Sequence, residues 1–457
     1  FLDIFSGSKV LENTHPYAMC YGGHQFGNWA GQLGDGRAIN LAEVMHNNQR
    51  WALQLKGAGE TPYSRSADGL AVLRSSIREH LCSEAMYHLG VPTTRSLSLI
   101  LTGDQVLRDI MYDGNPAYEK GAVVCRVAPS FLRFGNFQIF AARRDKERLK
   151  QVTDYTIRHF FPEIREITIE GYLQFFRTVV KRTLEMVIHW QRVGFVHGVM
   201  NTDNMSILGL TIDYGPYGWL EGYDPSWTPN TTDRSHRRYR FGYQPSIALW
   251  NLNQLANALH VLIDDAEALE AILNEFPKSY GVQYLMMMRQ KLGLETEQAE
   301  DSQLIETLHK TLQLTETDMT IFFRNLSQLE KDTSSDEDKV FLDLINDAFY
   351  QEKISEDIKT AWKDWFDLYL NRLQKETLSD EERRAEMNQI NPKYVLRNYM
   401  AQLAIDAADN RDYSLIEELY ELLKQPYTEQ PKAEKWFAKR PEWARHKVGC
   451  SMLSCSS

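Results

Sequence analysis

The sequence is poor in the features that mark secreted, membrane-spanning or nucleic-acid-binding proteins. Five cysteines among 457 residues are too few for a disulfide framework, which favours a reducing compartment. No stretch approaches the roughly 20 apolar residues that are needed to cross a bilayer. The formal net charge of -11 argues against a nucleic-acid partner, which would require a basic face. We therefore expect a protein that acts without nucleic acid and without a membrane.

The chain changes character twice along its length. Its size suits two or three packed units rather than a single core. The first 150 residues are rich in glycine and in short apolar runs that predict strands, interrupted by one helix over about 71–89. The pattern turns helical from about Gly171, and after about residue 250 it is nearly all amphipathic helix. We therefore predict three parts, which are 1–150, 151–330 and 331–457.

Several later elements are predicted from local signals. The periodicity predicts helices over 250–262 and 340–373, and Ser379 followed by three acidic residues predicts another helix start. The charged segment 330–339 is predicted to be a solvated linker.

Residues 196–204 follow the pattern of a protein-kinase catalytic loop with one substitution. The kinase loop is written H-R-D-L-x-x-x-N, and placing His197 on its His puts Asn204 on the metal-binding Asn. Val199 then occupies the position of the catalytic Asp, and a valine cannot accept a proton. Asp203 offers a carboxylate from another position in the same loop. The loop therefore predicts a metal–nucleotide site in which the proton acceptor has moved.

Asp213 provides a second oxygen ligand. It follows an apolar run, 206–212, that predicts a strand, and Gly215 predicts a turn after it. An Asp at a strand end suits a metal ion that faces phosphates, although the tripeptide alone would also suit a turn-capping Asp. Asn204 precedes it across a predicted short hairpin, so both side chains are expected to converge on one Mg²⁺ or Mn²⁺.

The glycine-rich segment, Lys56 and Glu79 complete a kinase-like order of motifs. Six glycines lie between Gly22 and Gly36, where they suit either a phosphate-binding loop or a tight hairpin without a ligand. Lys56 ends an apolar strand, and Glu79 lies on the following helix. A strand lysine paired with a helix glutamate positions a phosphate-binding ammonium in kinases. Either residue alone is common on protein surfaces. A glycine-rich loop, a strand lysine, a helix glutamate, a His-containing loop and an Asp-x-Gly turn in this order are unlikely to occur together by chance.

Three arginines are candidates for polyphosphate binding. Arg37 would attract phosphates where Asp35 beside it would repel them. Arg126 and Arg133 bracket an apolar run and suit a bidentate clamp. The alternative for this pair is ordinary surface arginines around an aromatic contact.

Together, these motifs resemble the selenoprotein O family over essentially the whole chain. The resemblance rests on residues 21–27, 32–37, 54–59, 61–65 and 197–216. It implies a bilobal, protein-kinase-like α+β fold with a strand-rich N-lobe, a helical C-lobe and a helical C-terminal extension. It also implies a protein adenylyltransferase that transfers AMP from ATP to Ser, Thr or Tyr hydroxyls, with the ATP bound in a flipped orientation.

The resemblance assigns roles to individual residues. It makes Asp203 the proton acceptor, Glu79 the partner of Lys56, and Asn204 and Asp213 the ligands of Mg²⁺ or Mn²⁺. The positions implied to contact ATP are Gly34, Gly36, Arg37, Lys56, Asp68, Gly69, Arg126, Arg133 and Asp213. Two alternatives stay open, namely a kinase-type phosphotransferase and a catalytically inactive nucleotide-binding scaffold.

The C-terminal tail and the compartment are the last expectations. Cys450 and Cys455 resemble a family tail in which some members carry selenocysteine, and we expect exposed thiols with modest redox sensitivity or an idle terminus. Cys20, Cys82 and Cys125 are expected to be buried thiols. The family implies a cytoplasmic location, or a mitochondrial one if the source is eukaryotic. The chain begins with Phe1, which suggests a fragment or a processed form.

Overall fold

The structure, a computed structural model, describes residues 1–333 and 338–454, without the side chains of residues 338 and 339. It is a mixed α/β protein in which small antiparallel sheets lie in the first half and helices dominate the second. The strands are β1 (Gly22–Gln25), β2 (Asn28–Gln32), β3 (Ala38–His46), β4 (Gln49–Lys56), β5 (Arg95–Arg108), β6 (Ala117–Ala128), β7 (Phe195–Val196) and β8 (Gly218–Trp219).

The α-helices account for most of the remaining regular structure. They are α1 (Leu2–Phe5), α2 (Leu73–His88), α3 (Phe134–Ala142), α4 (Lys146–Phe160), α5 (Ile169–Val193), α6 (Gln244–Ile263), α7 (Ala266–Lys291), α8 (Asp301–Leu312), α9 (Met319–Leu326), α10 (Asp338–Ile345), α11 (Glu356–Leu373), α12 (Asp380–Ile390), α13 (Asn398–Asp409) and α14 (Ser414–Leu423). Short 3₁₀ helices occur at Thr202–Asn204, Thr231–Asp233, Phe241–Tyr243, Asn346–Ala348, Pro431–Trp436 and Glu442–Ala444.

A four-stranded antiparallel sheet positions Lys56 and Arg126. Its strand order is β3-β4-β6-β5, and Gln54 of β4 lies opposite Arg126 of β6. One face of the sheet buries Leu55 and Cys125 in a small apolar cluster. Helix α2 packs on β5 and β6 through its apolar face and thereby brings Glu79 to the end of β4.

A second, two-stranded sheet holds the loop that contains the other candidate residues. Helix α5 begins at the cap Thr168, whose hydroxyl accepts a hydrogen bond from Gly171, and ends at Gly194. The chain then enters β7, which pairs with β8 and so closes the base of the intervening loop, 197–217. His197, Asp203, Asn204 and Asp213 all lie on this loop.

Two predicted elements differ from the structure. The run 206–212 is not a strand: Ser206 and Thr211 form separate single bridges with Arg133 and Thr93, and the chain turns between them. The predicted helix over 340–373 is interrupted between α10 and α11. The backbone of residues 348–350 bonds instead to residues 316–318, and Ser355 caps the start of α11.

Other elements agree with the sequence or lie partly outside the described residues. Ser379 caps the start of α12 as predicted, and it forms a capping box with Glu382. The predicted linker 330–339 lies partly outside the described residues. None of the helices in the described ranges has the length and continuous apolar character that a bilayer crossing requires.

The tail docks against the segment that follows β8. The N–H of Leu453 donates to the carbonyl O of Pro229 at 3.1 Å, and the N–H of Thr231 donates to the carbonyl O of Leu453 at 2.7 Å. Cys450 is 3% exposed, which contradicts the expectation of an exposed thiol. Cys455 lies outside the described residues. Cys82 and Cys125 are buried as predicted, whereas Cys20 is only partly buried.

Candidate active site

A cavity of about 700 Å³ collects most of the residues singled out in the sequence. Its lining comes from the four-stranded sheet, the segment 66–70 and the loop between β7 and β8. The candidate residues that line it are Gly36, Arg37, Lys56, Asp68, Gly69, Arg126, Asn204 and Asp213. Gly34, Arg133 and Asp203 lie behind or beside this lining rather than in it. The cavity therefore places basic and acidic side chains from distant parts of the chain around one space.

Lys56 forms the ion pair that the order of motifs predicted. Its Nζ lies 2.5 Å from Oε2 of Glu79, whose carboxylate is almost fully buried. Burial lowers the pKa of Lys56, and although Glu79 opposes that shift, the nearby charges of Arg37 and Arg126 add to it. The ammonium is thereby fixed at the cavity wall, where it can meet an anionic ligand.

Asp213 lies between two buried arginines. Nη1 of Arg126 donates to its Oδ1 at 2.7 Å, and Nη1 of Arg133 donates to its Oδ2 at 2.5 Å. Burial alone would raise the pKa of Asp213, but the charges of Arg133, Arg126 and Lys56 outweigh it and hold the pKa well below its usual range. Asp213 also has a φ of 58°, which is uncommon for a residue other than glycine and is often found at functional sites. The carboxylate is therefore charged at every ordinary pH.

Arg133 connects Asp213 to the backbone of Asp203. The guanidinium is 1% exposed, and its Nη1 also donates to the carbonyl O of Asp203 at 2.9 Å. Its Nη2 lies 3.7 Å from Oδ1 of Asp35. Arg133 thus stands behind Asp213, one layer further from the cavity than Arg126.

The side chain of Asp203 is buried and only partly satisfied. Its Oδ2 accepts a hydrogen bond from Nε2 of Gln25 at 3.1 Å, whereas Oδ1 is buried and has no partner among the described residues. Burial raises the pKa of this carboxyl to about 6, with the Gln25 hydrogen bond acting in the opposite direction. A buried acceptor with a pKa near neutrality suits a general base.

The β1–β2 hairpin covers Asp203. A Cβ at Gly23 would lie 2.7 Å from Oδ1 of Asp203, so only glycine permits this approach. The backbone N–H of His24 donates to Oγ1 of Thr202 at 2.7 Å, and that of Phe26 donates to Oδ1 of Asn201 at 3.2 Å. In this structure the glycine-rich segment therefore contacts the loop 197–217 directly.

His197 and Asn204 shape the loop from within. The N–H of Val199 donates to Nδ1 of His197, so Nε2 carries the proton and donates to the carbonyl O of Ile212 at 2.8 Å. Burial lowers the pKa of His197 and keeps the ring neutral. Nδ2 of Asn204 donates to the carbonyl O of Val199 at 3.0 Å, which leaves the amide oxygen as the group available to a cation.

Asp68 and Gly34 have other local partners. Arg108 binds Asp68 bidentately, with both N–O distances at 2.7 Å, and this pairing lowers the pKa of Asp68. A Cβ at Gly34, whose φ is 115°, would lie 2.4 Å from the ring of Tyr63. Gly34 therefore permits close packing of Tyr63, and direct contact between Gly34 and a nucleotide stays a prediction.

Sequence reasoning missed three groups of this site. Gln54 is fully buried, accepts a hydrogen bond from Arg126 and donates to Asp35 at 3.3 Å. Gln25 donates a hydrogen bond to the carboxylate of Asp203, and Arg108 forms an ion pair with Asp68. A signal for Gln54 existed, since a polar residue stands among apolar ones two positions before Lys56. Nothing in the sequence pointed to Gln25 or Arg108, because both contacts join segments distant in sequence.

Carboxylates and ring nitrogens do not form a metal centre by themselves. Among residues 1–333 and 338–454, no group of three or more His, Cys, Asp or Glu side chains is arranged to hold an ion. Asp213 and Asn204 instead present one carboxylate and one amide oxygen beside the cationic side chains of the cavity, and Asp68 is already paired with Arg108. That arrangement suits an anionic ligand that would bring further oxygen atoms of its own.

Comparison with known proteins gives this site its context. A family model described as Protein adenylyltransferase SelO matches residues 1–424. The chain is 67% identical over 458 residues to a Protein nucleotidyltransferase YdiU from Flavobacterium johnsoniae. The aligned region covers 100% of this chain and 87% of that protein. The chain is 56% identical over 472 residues to a Protein nucleotidyltransferase YdiU from Rhodopirellula baltica, with the same two coverages. The site and these matches define a nucleotidyltransferase. The chain belongs to the protein adenylyltransferase SelO family.

Proposed function

We propose that this chain transfers AMP from ATP to a Ser, Thr or Tyr hydroxyl of a protein and releases pyrophosphate. The observation that carries the proposal is Asp203, a buried carboxyl with a pKa raised to about 6 and one oxygen without a partner, in a kinase-like loop that lacks the usual catalytic Asp. Family membership supports the activity. The identity of the acceptor hydroxyl comes from the family resemblance alone.

The charge distribution supports a buried triphosphate end. Arg37, Lys56 and Arg126 line the inner cavity, and Arg133 lies behind them. Three of these cations are held by Glu79 and Asp213, so they are already in place before a nucleotide arrives. Charge-assisted hydrogen bonds to phosphate oxygens are among the strong ones in proteins. We therefore propose that the β- and γ-phosphates occupy this end and that the α-phosphate faces the acceptor.

The residues of this chain would divide the reaction between them. The acceptor oxygen attacks the α-phosphorus while its proton passes to the carboxylate of Asp203. The bond from the α-phosphorus to the bridging oxygen breaks, and pyrophosphate leaves with its negative charge balanced by the basic side chains. Catalysis of this kind depends mostly on positioning and on stabilisation of developing charge.

Asn204 and Asp213 fit the role of metal ligands. The carboxylate of Asp213 and the amide oxygen of Asn204 line the same cavity, and Mg²⁺ is commonly bound by one or two protein oxygens together with substrate phosphates. A bound Mg²⁺ or Mn²⁺ would supply further neutralisation of the polyphosphate.

The finer description of the fold belongs to the same proposal. We assign the four-stranded sheet with α2 to the nucleotide lobe of a bilobal kinase-like fold, and the helices from α5 to α9 to its C-lobe. The Lys56–Glu79 pair supports this assignment because it joins the sheet to α2 as in kinases. The division at 150 and 330, the helical extension and a cytoplasmic location stay predictions.

Two labelled forms of ATP test the proposal. With the label on the α-phosphate, we expect radioactivity on the protein itself or on an added protein substrate, together with release of pyrophosphate. Transfer from the γ-phosphate alone would establish a kinase instead. If neither label is transferred although ATP binds, the chain is a nucleotide-binding scaffold.

A further inference from the structure

Four arginines form an exposed basic patch in a chain that is acidic as a whole. Arg234, Arg237, Arg238 and Arg240 lie within seven residues, whereas the sequence has 62 acidic against 51 basic residues. Arg234 and Arg237 are exposed, and the other two are half-buried. In the described part of the chain, no carboxylate forms an ion pair with any of these four guanidinium groups. We call these four residues the basic surface.

The acidic residue of the same segment, Asp233, attracts Arg238 through its charge but, among the described residues, forms no ion pair with any of the four arginines of this surface. Asp233 is 1% exposed, and its carboxylate accepts hydrogen bonds from the backbone N–H groups of Arg238 and Tyr239 at 2.9 and 2.7 Å. This contact turns the segment so that Asp233 faces inward. The side chains of Arg234 and Arg237 remain exposed to solvent.

The basic surface lies beside the proposed proton acceptor. The hydroxyl of Tyr239 donates to Oδ1 of Asn201 at 2.5 Å and accepts from the N–H of Phe26 at 3.0 Å. The guanidinium of Arg238 reaches the tip of the β1–β2 hairpin, since a Cβ at Gly27 would lie 3.4 Å from its Cζ. Gln25 of that hairpin contacts Asp203. One short hairpin therefore separates Asp203 from the basic surface.

An aromatic platform fixes Arg238. Its Cζ lies 4.7 Å from the centroid of the Trp250 ring, and the ring of His24 packs edge-on against Trp250. Nε of Arg238 is buried without a hydrogen-bond partner in the described residues, and Trp29 beside His24 is 41% exposed. A positioned guanidinium beside exposed aromatic area suits an extended peptide that carries a carboxylate.

We propose that the basic surface binds an acidic stretch of the protein substrate next to the hydroxyl that receives AMP. An extended peptide advances about 3.3 Å per residue, so carboxylates a few residues from a hydroxyl at Asp203 would reach past the hairpin to this surface. The inference rests on the proposed function, because it concerns how that site selects its substrate. Nucleic acid is the less favoured occupant, since the formal net charge of -11 would oppose a long polyanion.

Matched peptides test this specificity. The two peptides of each pair share one Ser, Thr or Tyr and differ only in carrying either Glu or Gln at the third to fifth residues from it. The value of kcat/KM is measured for each peptide with ATP labelled on the α-phosphate. We expect the wild type to prefer the Glu peptides by roughly 5- to 30-fold at low salt, with the preference shrinking at high salt. The double variant Arg234→Glu/Arg237→Glu should lose or reverse it. Because the preference is a ratio within each variant, a general loss of activity cancels.

An exposed arginine of α5 provides the control. Arg177→Glu, compared with each of the single variants Arg234→Glu and Arg237→Glu, makes the same substitution outside the basic surface and should keep the preference of the wild type. Equal kcat/KM for Glu and Gln peptides in the wild type would overturn the inference and leave the proposed function standing.

Direct binding separates a failure of the inference from a failure of the proposed function. If no AMP reaches any peptide or the protein itself, the proposed function fails, and fluorescence anisotropy with a labelled Glu peptide then tests the surface alone. Weaker binding by the double variant than by Arg177→Glu supports the surface. Equal binding by the two, or tighter binding of a single-stranded oligonucleotide than of the peptide by the wild type, would overturn it.

Discussion

Asp203 and Asp213 accept hydrogen bonds from the same nitrogen, Nη1 of Arg133. The pKa of the Asp203 carboxyl is nevertheless raised, whereas that of the Asp213 carboxyl is lowered. Arg133 meets Asp213 through the carboxylate but meets Asp203 only through its backbone carbonyl. At Asp203 burial outweighs the opposing effects of the Gln25 hydrogen bond and the Arg133 charge and raises the pKa of the carboxyl to about 6, while the carboxyl of Asp213 stays charged. Carboxyl groups whose pKa values are pushed apart commonly divide two tasks. We propose that the two tasks here are proton acceptance by Asp203 and charge balance by Asp213.

Replacing Asp203 by Asn should lower activity and raise stability together. Loss of a general base typically reduces turnover by about 10²–10⁴-fold, and nucleotide binding should persist. The folded-state pKa of about 6 exceeds the ordinary value of 3.8, so the ionised carboxylate destabilises the fold above pH 6 by up to about 3 kcal/mol. The penalty is nearly absent at about pH 3, below the ordinary value of 3.8, where both states hold the proton. Denaturant unfolding of both proteins at about pH 3 and about pH 7.5 should show the gain only at the higher pH. Near wild-type turnover in Asp203→Asn would place the base elsewhere.

Gln25 should set the acidic limb of the pH–rate profile. Its hydrogen bond stabilises the charged form of Asp203 and so lowers that pKa. In Gln25→Ala the pKa should rise by about 0.5–1 unit, and kcat/KM should begin to fall at a correspondingly higher pH. Gln32→Ala changes the same hairpin without touching Asp203 and should leave the profile in place. An unchanged midpoint in Gln25→Ala would mean that another group controls this limb.

Arg126→Ala should weaken the binding of ATP far more than that of AMP. Arg126 lines the cavity, and its hydrogen bond to the carboxylate of Asp213 already holds the guanidinium in place. We therefore expect it to contact a terminal phosphate, which AMP lacks. Loss of one buried charge-assisted contact costs about 1.5–3 kcal/mol, which is roughly 10- to 150-fold in Kd. Calorimetry with both nucleotides measures the difference, with Arg177→Ala as the matched control. Equal losses for ATP and AMP would assign Arg126 to the base or ribose, or to a structural role.

The residues that the sequence located best are those tied to an ordered set of motifs. The pairing of Lys56 with Glu79 followed from a strand lysine and a helix glutamate in the right order, and the ion pair confirms it. The sequence motifs predicted that the side chains of Asn204 and Asp213 converge, and both residues line the same cavity. The strand predicted between them is wrong, but the β7–β8 pair closes the loop and brings the two side chains to the same wall.

Contacts between distant segments could not be predicted in the same way. Gln25 and Asp203 are 178 residues apart, and their contact depends on the packing of a hairpin against the loop. The tail shows the same limit. A short, polar, cysteine-containing terminus suggests exposure, but the backbone pairing of Leu453 with Pro229 and Thr231 draws Cys450 inside. Local sequence carries propensity, whereas burial depends on where the rest of the chain lies.

Cys450 should be unreactive in the folded protein. Burial raises the pKa of its thiol to about 11, and Nδ2 of Asn398 holds its carbonyl O at 2.6 Å. At pH 8 the thiolate fraction would be about 10²-fold below that of a free cysteine, and the burial slows access further. Native labelling with iodoacetamide, followed by mass spectrometry, should therefore leave Cys450 unmodified, while a denatured sample is labelled completely. Labelling of native Cys450 at the rate of a free cysteine would show that the tail leaves its position beside Pro229. Cys450 would then be accessible to oxidants as well.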